Sequence, residues 1–439
     1  MPRPSTALAV WANGIRVGLW RLPARGATEF QYDDAWRDAA AARPLSLSLP
    51  LTLKAHAHKG AAVEAYFDNL LPDSEPIRRR LQERFHTASR GAFDLLSAIG
   101  RDCVGAVQLL APDATPTDVH RIEATALNEA AIARELGAVT SPNNLRGDNE
   151  DFRISIAGAQ EKTAFLRHNG RWCLPQGSTP TSHIFKLPLG LVGNRQADMR
   201  TSVENEWLCA RIVAAFGIPV AHCEIGQFGE HKALIVERFD RQLHSGGKYW
   251  LRLVQEDFCQ ATGTPWHRKY QADGGPGLIA IARILRNSQE SQRDLTTLFR
   301  AQLLFWMLAA TDGHAKNFSI RILQGGVFHL TPLYDVLSAW PIIGKKANEI
   351  SPQKIKLAMA MPGQRPHYLL QSIQRRHFEE LAKRLGLNAE AERLIGEMAE
   401  KTPAVIDEVQ RGLPKGFPQG TLDRVLHGLA KSAQLLIRG

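Results

Sequence analysis

The strongest constraint on the fold is a change of hydrophobic period near Asp240. Upstream, short apolar runs are joined by Asn-Gly dipeptides; downstream, apolar residues recur mainly at helical spacing. Residues 7 to 20 alternate around Asn13-Gly14, a dipeptide that readily takes the positive φ angles of a type I′ turn, so a β-hairpin opens the chain. Pro72-Asp73-Ser74-Glu75-Pro76 then introduces Ile77 to Phe85 as a helix, with Asp73 or Ser74 as its cap. A further short helix and a strand at Val104 to Leu110 complete a small α/β unit. From Ala111 the composition shifts to Pro, Thr and Asp. After a helix near Leu127 to Leu136 comes the stretch Ser141 to Asp151, rich in Asn, Asp and Gly, where a boundary and a mobile connection are expected.

The next section is strand-rich. Arg153 to Ile156 leads as a strand into the glycine-containing loop Ala157 to Lys162, and Thr163 to Arg167 and Arg171 to Leu174 flank Asn169-Gly170 as a second hairpin. A strand at His183 to Leu187, a helix from Val203 to Phe216 closed by Gly217, and strands Cys223 to Phe228 and Ala233 to Phe239 follow. Beyond Asp240 helices are predicted at Gln255 to Ala261, Leu278 to Leu285, Leu295 to Ala310 and His377 to Leu385, interrupted by a hairpin at Phe318 to Leu330 around Gly325-Gly326. The class is α+β. At 439 residues the chain exceeds one compact core, and three regions are drawn: an α/β subdomain at 1–110, a β-rich lobe at 111–245 and an all-helical lobe at 246–439.

Bulk properties exclude more than they identify. With 44% hydrophobic and 22% charged residues the chain is neither disordered nor fibrous. A net charge of +10 favours an anionic ligand or partner such as ATP, tRNA or DNA, although a plain basic protein has the same balance. Cys103, Cys173, Cys209, Cys223 and Cys259 are scattered without a Cys-x-x-Cys spacing, which signals neither a disulfide framework nor a zinc site and fits a reducing cytoplasm. The apolar run Ala7 to Ala12 is cut short by Asn13-Gly14, and Leu303 to Ala310 is far below a membrane span, so neither secretion nor membrane insertion is expected.

The chemistry lies in an ordered set. Phosphoryl transfer is mostly positioning and charge neutralisation, and requires backbone donors near phosphates, a strand lysine, a hinge, a base with a nearby Asn, and a metal-binding Asp. The chain supplies Ala157 to Lys162, then Lys186, then Glu237-Arg238-Phe239-Asp240 at a strand end, then Asp312 with Asn317 five residues on, then Asp335 after a hairpin. Asp312 would accept the proton of a substrate hydroxyl, Asn317 and Asp335 would give oxygen ligands to Mg²⁺, and Lys186 would hold the α and β phosphates. Glu206 is the candidate ion-pair partner of Lys186, with Glu204 an alternative that the face of the helix decides. His314 could steady Asp312 or make a structural hydrogen bond. His183, His222 and His267 read as ordinary histidines, and Trp306 as helix core. Singly these signals are weak, since an Asp and an Asn in a loop are more often turn chemistry and a strand lysine usually faces water. Glu161 stands where a Walker A motif needs Gly before Lys162-Thr163, which disfavours a P-loop ATPase.

Arg153 to Thr163, Ile184 to Pro188, Val236 to Asp240, Thr311 to Ile320 and Tyr334 to Ser338 resemble the segments of the HipA family, the serine/threonine kinase toxins of bacterial HipBA toxin–antitoxin modules. The likeness extends to Phe67 to Ser74 and Ile99 to Asp102 and so covers most of the chain. The resemblance implies a two-lobed protein-kinase-like fold with a small N-terminal subdomain and a cytoplasmic location. It implies ATP held by Ile156, Ala157, Gly158, Ala159, Gln160, Lys186, Glu237, Phe239, His314, Lys316, Asn317 and Asp335, with Mg²⁺ on the last two. Ser155 would be autophosphorylated, which expels the glycine loop and silences the enzyme; without the resemblance it is a plain strand-end serine. The implied partners are a HipB-like helix-turn-helix antitoxin, operator DNA reached chiefly through it, and an aminoacyl-tRNA synthetase substrate, glutamyl-tRNA synthetase in HipA proper. Two other readings use the same residues: a DNA-bound corepressor with weak catalysis, and a small-molecule phosphotransferase related to aminoglycoside kinases. In the latter, His commonly precedes the loop Asp, whereas His314 follows it.

Overall fold

Asn13 and Gly14 carry φ angles of 49° and 82°, the left-handed pair a type I′ turn needs, and join strands Ala7–Ala12 and Ile15–Arg21. The computed structural model describes residues 6–52, 56–140, 155–158 and 160–438. The expected boundary at Ser141 to Asp151 therefore lies outside the described residues, as do Arg153, Ile154 and Ala159. The described chain divides into two compact units, one of Met1–Leu187, Gln227–His267 and Ser319–Phe328, the other of Pro188–Gly226, Arg268–Phe318 and His329–Gly439.

In the first unit the opening hairpin lies in a five-stranded sheet ordered His58–Lys59, Glu29–Tyr32, Ile15–Arg21, Ala7–Ala12, Gln108–Leu110. Its apolar face is closed by aromatic packing: Trp20 stacks on Phe67 at 3.9 Å between centroids, and Phe93 meets Trp20 edge-on at 5.0 Å. Helix Glu75–Phe85 starts at Ser74, whose hydroxyl accepts from Ile77 N, so Ser74 and not Asp73 is the cap.

A six-stranded sheet follows in the order Cys223–Phe228, His231–Glu237, His183–Lys186, Lys162–His168, Arg171–Pro175, Ala124–Ala126. Its second hairpin turns on Asn169 and Gly170, at φ 50° and 73°. Phe165, Phe185 and Leu174 form its core with Ile132 and Leu136 from helix Glu129–Thr140. Burying each of these large side chains contributes roughly 1.5–3 kcal/mol.

Beside this sheet lies a buried charge cluster. Asp102 accepts from Arg241 Nη2 at 2.9 Å, Arg252 Nε at 3.3 Å, Arg238 Nη1 at 3.4 Å and Thr181 Oγ1 at 2.7 Å. Asp240 accepts from Arg238, Arg241 and the Gly105 amide. Burial opposes the ionisation of Asp102, but Arg241, Arg238 and Arg252 outweigh it and hold its carboxyl well below the usual carboxylate range.

The second unit is built mainly on helices Ser202–Ala215, Leu278–Leu285, Ser291–Met307, Arg375–Leu385, Ala391–Arg411 and Gln419–Ile437. Trp306 is core as expected: it is buried, donates to Leu370 O at 3.1 Å and packs edge-on against Phe378. No helix among the described residues is long and apolar enough to cross a membrane. All five cysteines are free thiols.

Three expectations need correction. Gln255–Asp257 is a strand paired with Ser319–Ile322, and only Phe258–Ala261 is helical, because the capping box of Asp257 and Gln260 starts the helix there. Ser155 and Ile156 are not in a strand: the Ser155 amide bonds to Asp102 O at 3.1 Å instead of to a ladder. Region 246–439 is mostly but not wholly helical, since Lys356–Met361 pairs with His367–Leu369 and Trp250–Arg252 with Arg241–Leu243. Leu, Ala and Met favour helix in isolation, and cross-strand pairing overrides that preference.

The Asp102 cluster yields a stability prediction. Asp102→Asn leaves buried guanidinium groups uncompensated and is expected to cost about 3–5 kcal/mol, read from the urea midpoint. The wild-type folded-state pKa is depressed, so the contribution is complete above about pH 4 and is lost as pH falls toward the folded value. The Asn variant is expected to lose that component of the acid slope.

Candidate active site

After helix Ser291–Met307 the chain reverses through Ala309, at φ 48°, whose carbonyl accepts from Ala339 N at 3.0 Å. Gly313 then passes against the helix so closely that a Cβ would lie 2.4 Å from Phe305 Cδ2. Only glycine fits there, and its neighbour Asp312 projects to solvent. His314 N bonds to Asp312 O at 2.8 Å and Asn317 N to His314 O at 2.9 Å, which winds Ala315–Asn317 into a 3₁₀ turn with His314, Lys316 and Asn317 buried.

Two bonds tie this turn to the segment that follows the hairpin. Tyr334 Oη donates to Lys316 O at 2.7 Å, and Asn317 Nδ2 donates to Asp335 O at 3.2 Å. Asp335 sits at φ 58°, a left-handed conformation that Asp tolerates better than most residues. Just beyond, Ser338 is clamped by Asn205 of helix Ser202–Ala215, which donates to Ser338 O at 2.7 Å and accepts from Ser338 N at 3.0 Å. Glu204 and Glu206 lie on that helix, and both are buried, so burial does not choose between them.

Asp312 has a close partner without any sequence signal: Tyr270 Oη donates to Asp312 Oδ1 at 2.5 Å, whereas His314 Nε2 stands 3.9 Å from that oxygen. The contact between them uses the Asn317 amide nitrogen and the Asp335 main chain, which leaves the amide oxygen of the one and the carboxylate of the other as potential ligands. Hard oxygen donors in so small a number suit Mg²⁺, which keeps water and phosphate ligands, so the pair fits the implied ion. Among the described residues no group of three His, Cys, Asp or Glu side chains could hold a metal.

The remaining candidates belong to the first unit. Gly158, at φ 110°, accepts from Asp73 N at 3.0 Å and bridges Pro72, and a Cβ on it would come within 2.5 Å of Lys162 Nζ. Gln160 Nε2 donates to Leu187 O at 2.5 Å, and Glu161 pairs with Arg80. These bonds fix Ala157, Gly158 and Gln160 at one end of the six-stranded sheet. Ser155 is 1% exposed, and its hydroxyl donates to Leu70 O at 2.8 Å. Lys186 is buried on strand His183–Lys186 directly opposite Lys162. Directly opposed residues of an antiparallel pair share a face of the sheet, so Lys162 lies on the same face as Lys186. Lys162 is thus a candidate that its strand-edge position alone did not reveal. Glu237 ends strand His231–Glu237, exposed, with Phe239 half-buried beyond it; Arg238 between them bonds to Ser182 O and enters the Asp102 cluster.

An Asp–Asn loop, a later Asp, a strand lysine and a glycine loop define a chain of the protein-kinase-like class. The HipA-like C-terminal domain matches residues 154–406 and the HipA N-terminal domain residues 8–110. A putative kinase, Y4mE, of Sinorhizobium fredii is 34% identical over 77% of this chain and 79% of its own. The serine/threonine-protein kinase toxin HipA of Shewanella oneidensis is 28% identical over 67% of this chain and 66% of its own. A chain in the solved complex of HipA, HipB and operator DNA from Shewanella oneidensis superposes with a TM-score of 0.79 at 21% identity, covering 97% and 96% of the two chains, a likeness of fold. This chain belongs to the HipA family of kinases.

The clamp on Ser338 is testable. Asn205→Ala orphans a buried amide and carbonyl, which is expected to cost about 1–3 kcal/mol for each group left unsatisfied. The thermal midpoint measures it, and an unchanged midpoint would mean that Ser338 finds other partners.

Proposed function

We propose that the chain is a Mg²⁺- and ATP-dependent serine/threonine protein kinase, the toxin of a HipBA-like toxin–antitoxin module. The observation that supports this reading is the bond from the Asn317 amide to the Asp335 main-chain carbonyl, which holds those two residues together in a turn that also carries the exposed Asp312. In this reading Asp312 accepts the proton of the attacking hydroxyl. Lys186, with Lys162 opposite it, balances phosphate charge, and Glu206 orients Lys186. Backbone groups from Ile156 to Gln160 lie along the phosphates, Glu237 and Phe239 meet the adenine, and His314 and Lys316 line the nucleotide site. Mg²⁺ on Asn317 and Asp335 supplies charge neutralisation on the transferring phosphoryl group.

The finer parts of the proposal follow the family likeness. The substrate is an aminoacyl-tRNA synthetase, glutamyl-tRNA synthetase first among them, whose modification inhibits translation and promotes dormancy in the bacterial cytoplasm. A HipB-like antitoxin is the partner, with which the chain represses transcription on operator DNA, and the +10 net charge suits that surface. The division 1–110, 111–245 and 246–439 belongs to the same proposal.

Ser155 is the autophosphorylation site. Its hydroxyl is buried against Leu70 O, so modification requires the segment to leave, and a phosphate bearing about two negative charges cannot return to that position. Purified protein with Mg²⁺ and ATP is expected to label itself at Ser155, located by mass spectrometry. Asp312→Asn and Ser155→Ala each abolish the label. Persistent labelling of Asp312→Asn would remove Asp312 from the role of base, and labelling elsewhere alone would remove Ser155 from its role.

A further inference from the structure

The roles assigned above leave the closest contact of Asp312 unused. Tyr270 opens the run Tyr270-Gln271-Ala272-Asp273-Gly274-Gly275-Pro276-Gly277, which closes into an arch. Tyr270 O accepts from Asp273 N and Gly275 N, both at 3.0 Å, and Gly274 turns the chain at φ 90°. Gly275 passes so near the backbone that a Cβ would lie 2.0 Å from Arg268 O, and one on Gly277 would lie 2.3 Å from the Gln271 side chain. Gln271 is itself pinned, since its Oε1 accepts from Ala360 N at 2.9 Å on strand Lys356–Met361. The tyrosine ring meets the His314 ring edge-on at 5.1 Å.

From this arch we infer that Tyr270 is a positioning residue for phosphoryl transfer: its hydroxyl fixes Asp312 Oδ1 and thereby leaves Oδ2 to take the proton of the substrate hydroxyl. The inference rests on Asp312 being the base. An aspartate on an exposed loop rotates freely about two torsions, and productive proton transfer needs one of those orientations. A hydrogen bond from a rigid donor selects it before substrate arrives. The rival reading makes the Tyr270 hydroxyl a plug standing where the substrate hydroxyl must go. A plug has to withdraw, whereas the glycines of this arch have no spare room on the sides that a Cβ would occupy, and Gln271 anchors it to a neighbouring strand. The construction suits a permanent support.

Tyr270→Phe removes the hydroxyl and keeps the ring. Self-labelling is followed against ATP concentration for wild type and variant, with ADP titration calorimetry counting folded, nucleotide-competent molecules and a thermal melt alongside. The maximal rate per competent molecule is expected to fall about 10- to 100-fold, with the half-saturating ATP concentration unchanged. Gly275→Ala, which displaces the arch and keeps the hydroxyl, should slow labelling likewise, and the double variant should be no slower than Tyr270→Phe. A Tyr270→Phe rate equal to wild type overturns the inference; a faster rate overturns it in favour of the plug; losses that multiply in the double variant also overturn it. A wild-type protein that transfers no phosphate removes the kinase reading itself, a result distinct from variants that match an active wild type.

Discussion

Three buried guanidinium groups share two buried carboxylates at Asp102 and Asp240, and much of the first unit is arranged around that exchange. Each ion loses several kcal/mol of hydration on burial, so the cluster persists only because nearly every lone pair finds a donor. Those donors come from well-separated stretches of chain: Thr181 before the Lys186 strand, Gly105 in the N-terminal region, and Arg238, Arg241 and Arg252 after the last strand of the six-stranded sheet. Asn13 of the first hairpin turn is joined to Arg252 by two bonds of 2.8 Å. The region matching the HipA N-terminal domain and the strands after Lys162 are thereby set in one register. Such a cluster contributes modest net stability compared with an apolar core of the same volume, but removing one partner strands a buried charge.

That register reaches two pieces of the candidate nucleotide site. Arg238 lies between Glu237 and Phe239, so anchoring its guanidinium fixes where those two emerge from the strand. The carbonyl of Asp102 accepts the Ser155 amide, so the same residue that gathers the arginines holds the start of the glycine loop. The second unit solves its own problem differently. There, steric exclusion at Gly313 and the amide clamp of Asn205 on Ser338 hold the turns that carry Asp312, Asn317 and Asp335.

Local features of the fold were legible in the sequence and non-local ones were not. The Asn-Gly turns, a cap at Asp73 or Ser74 and the helix stop at Gly217 depend on a few adjacent residues, and the structure then selects Ser74. The Asp312 to Asn317 spacing was legible because a short loop fixes both ends. Gln255–Asp257 was not, since its strand exists only through Ser319–Ile322, more than sixty residues on. Tyr270 and the Lys162–Lys186 pair were invisible for the same reason: a tyrosine in a glycine-rich run and a lysine at a strand edge are unremarkable until the fold sets them against Asp312 and against each other. The family was legible earlier than the geometry, because long strings of side chains carry more information than any single spacing.

If Ser155 is the off-switch, its described bonds hold it to the N-terminal region. Both of its described bonds run there, the hydroxyl to Leu70 O and the amide to Asp102 O, and the next anchor of the loop is Asp73 N on Gly158 O. A net hydrogen bond contributes about 0.5–1.5 kcal/mol, so three of them restrain the segment by an amount that thermal fluctuation can overcome at a useful rate. Leu70, Asp73 and Asp102 all bond through their backbones, which makes the restraint insensitive to most side-chain changes at Leu70 and Asp73 and sensitive to anything that shifts the backbone. The Asp102 cluster is what keeps that backbone still. A switch of this design is set by packing within the N-terminal region, so changes distant from Asp312 in sequence can bias how often Ser155 is exposed while leaving the transfer chemistry intact.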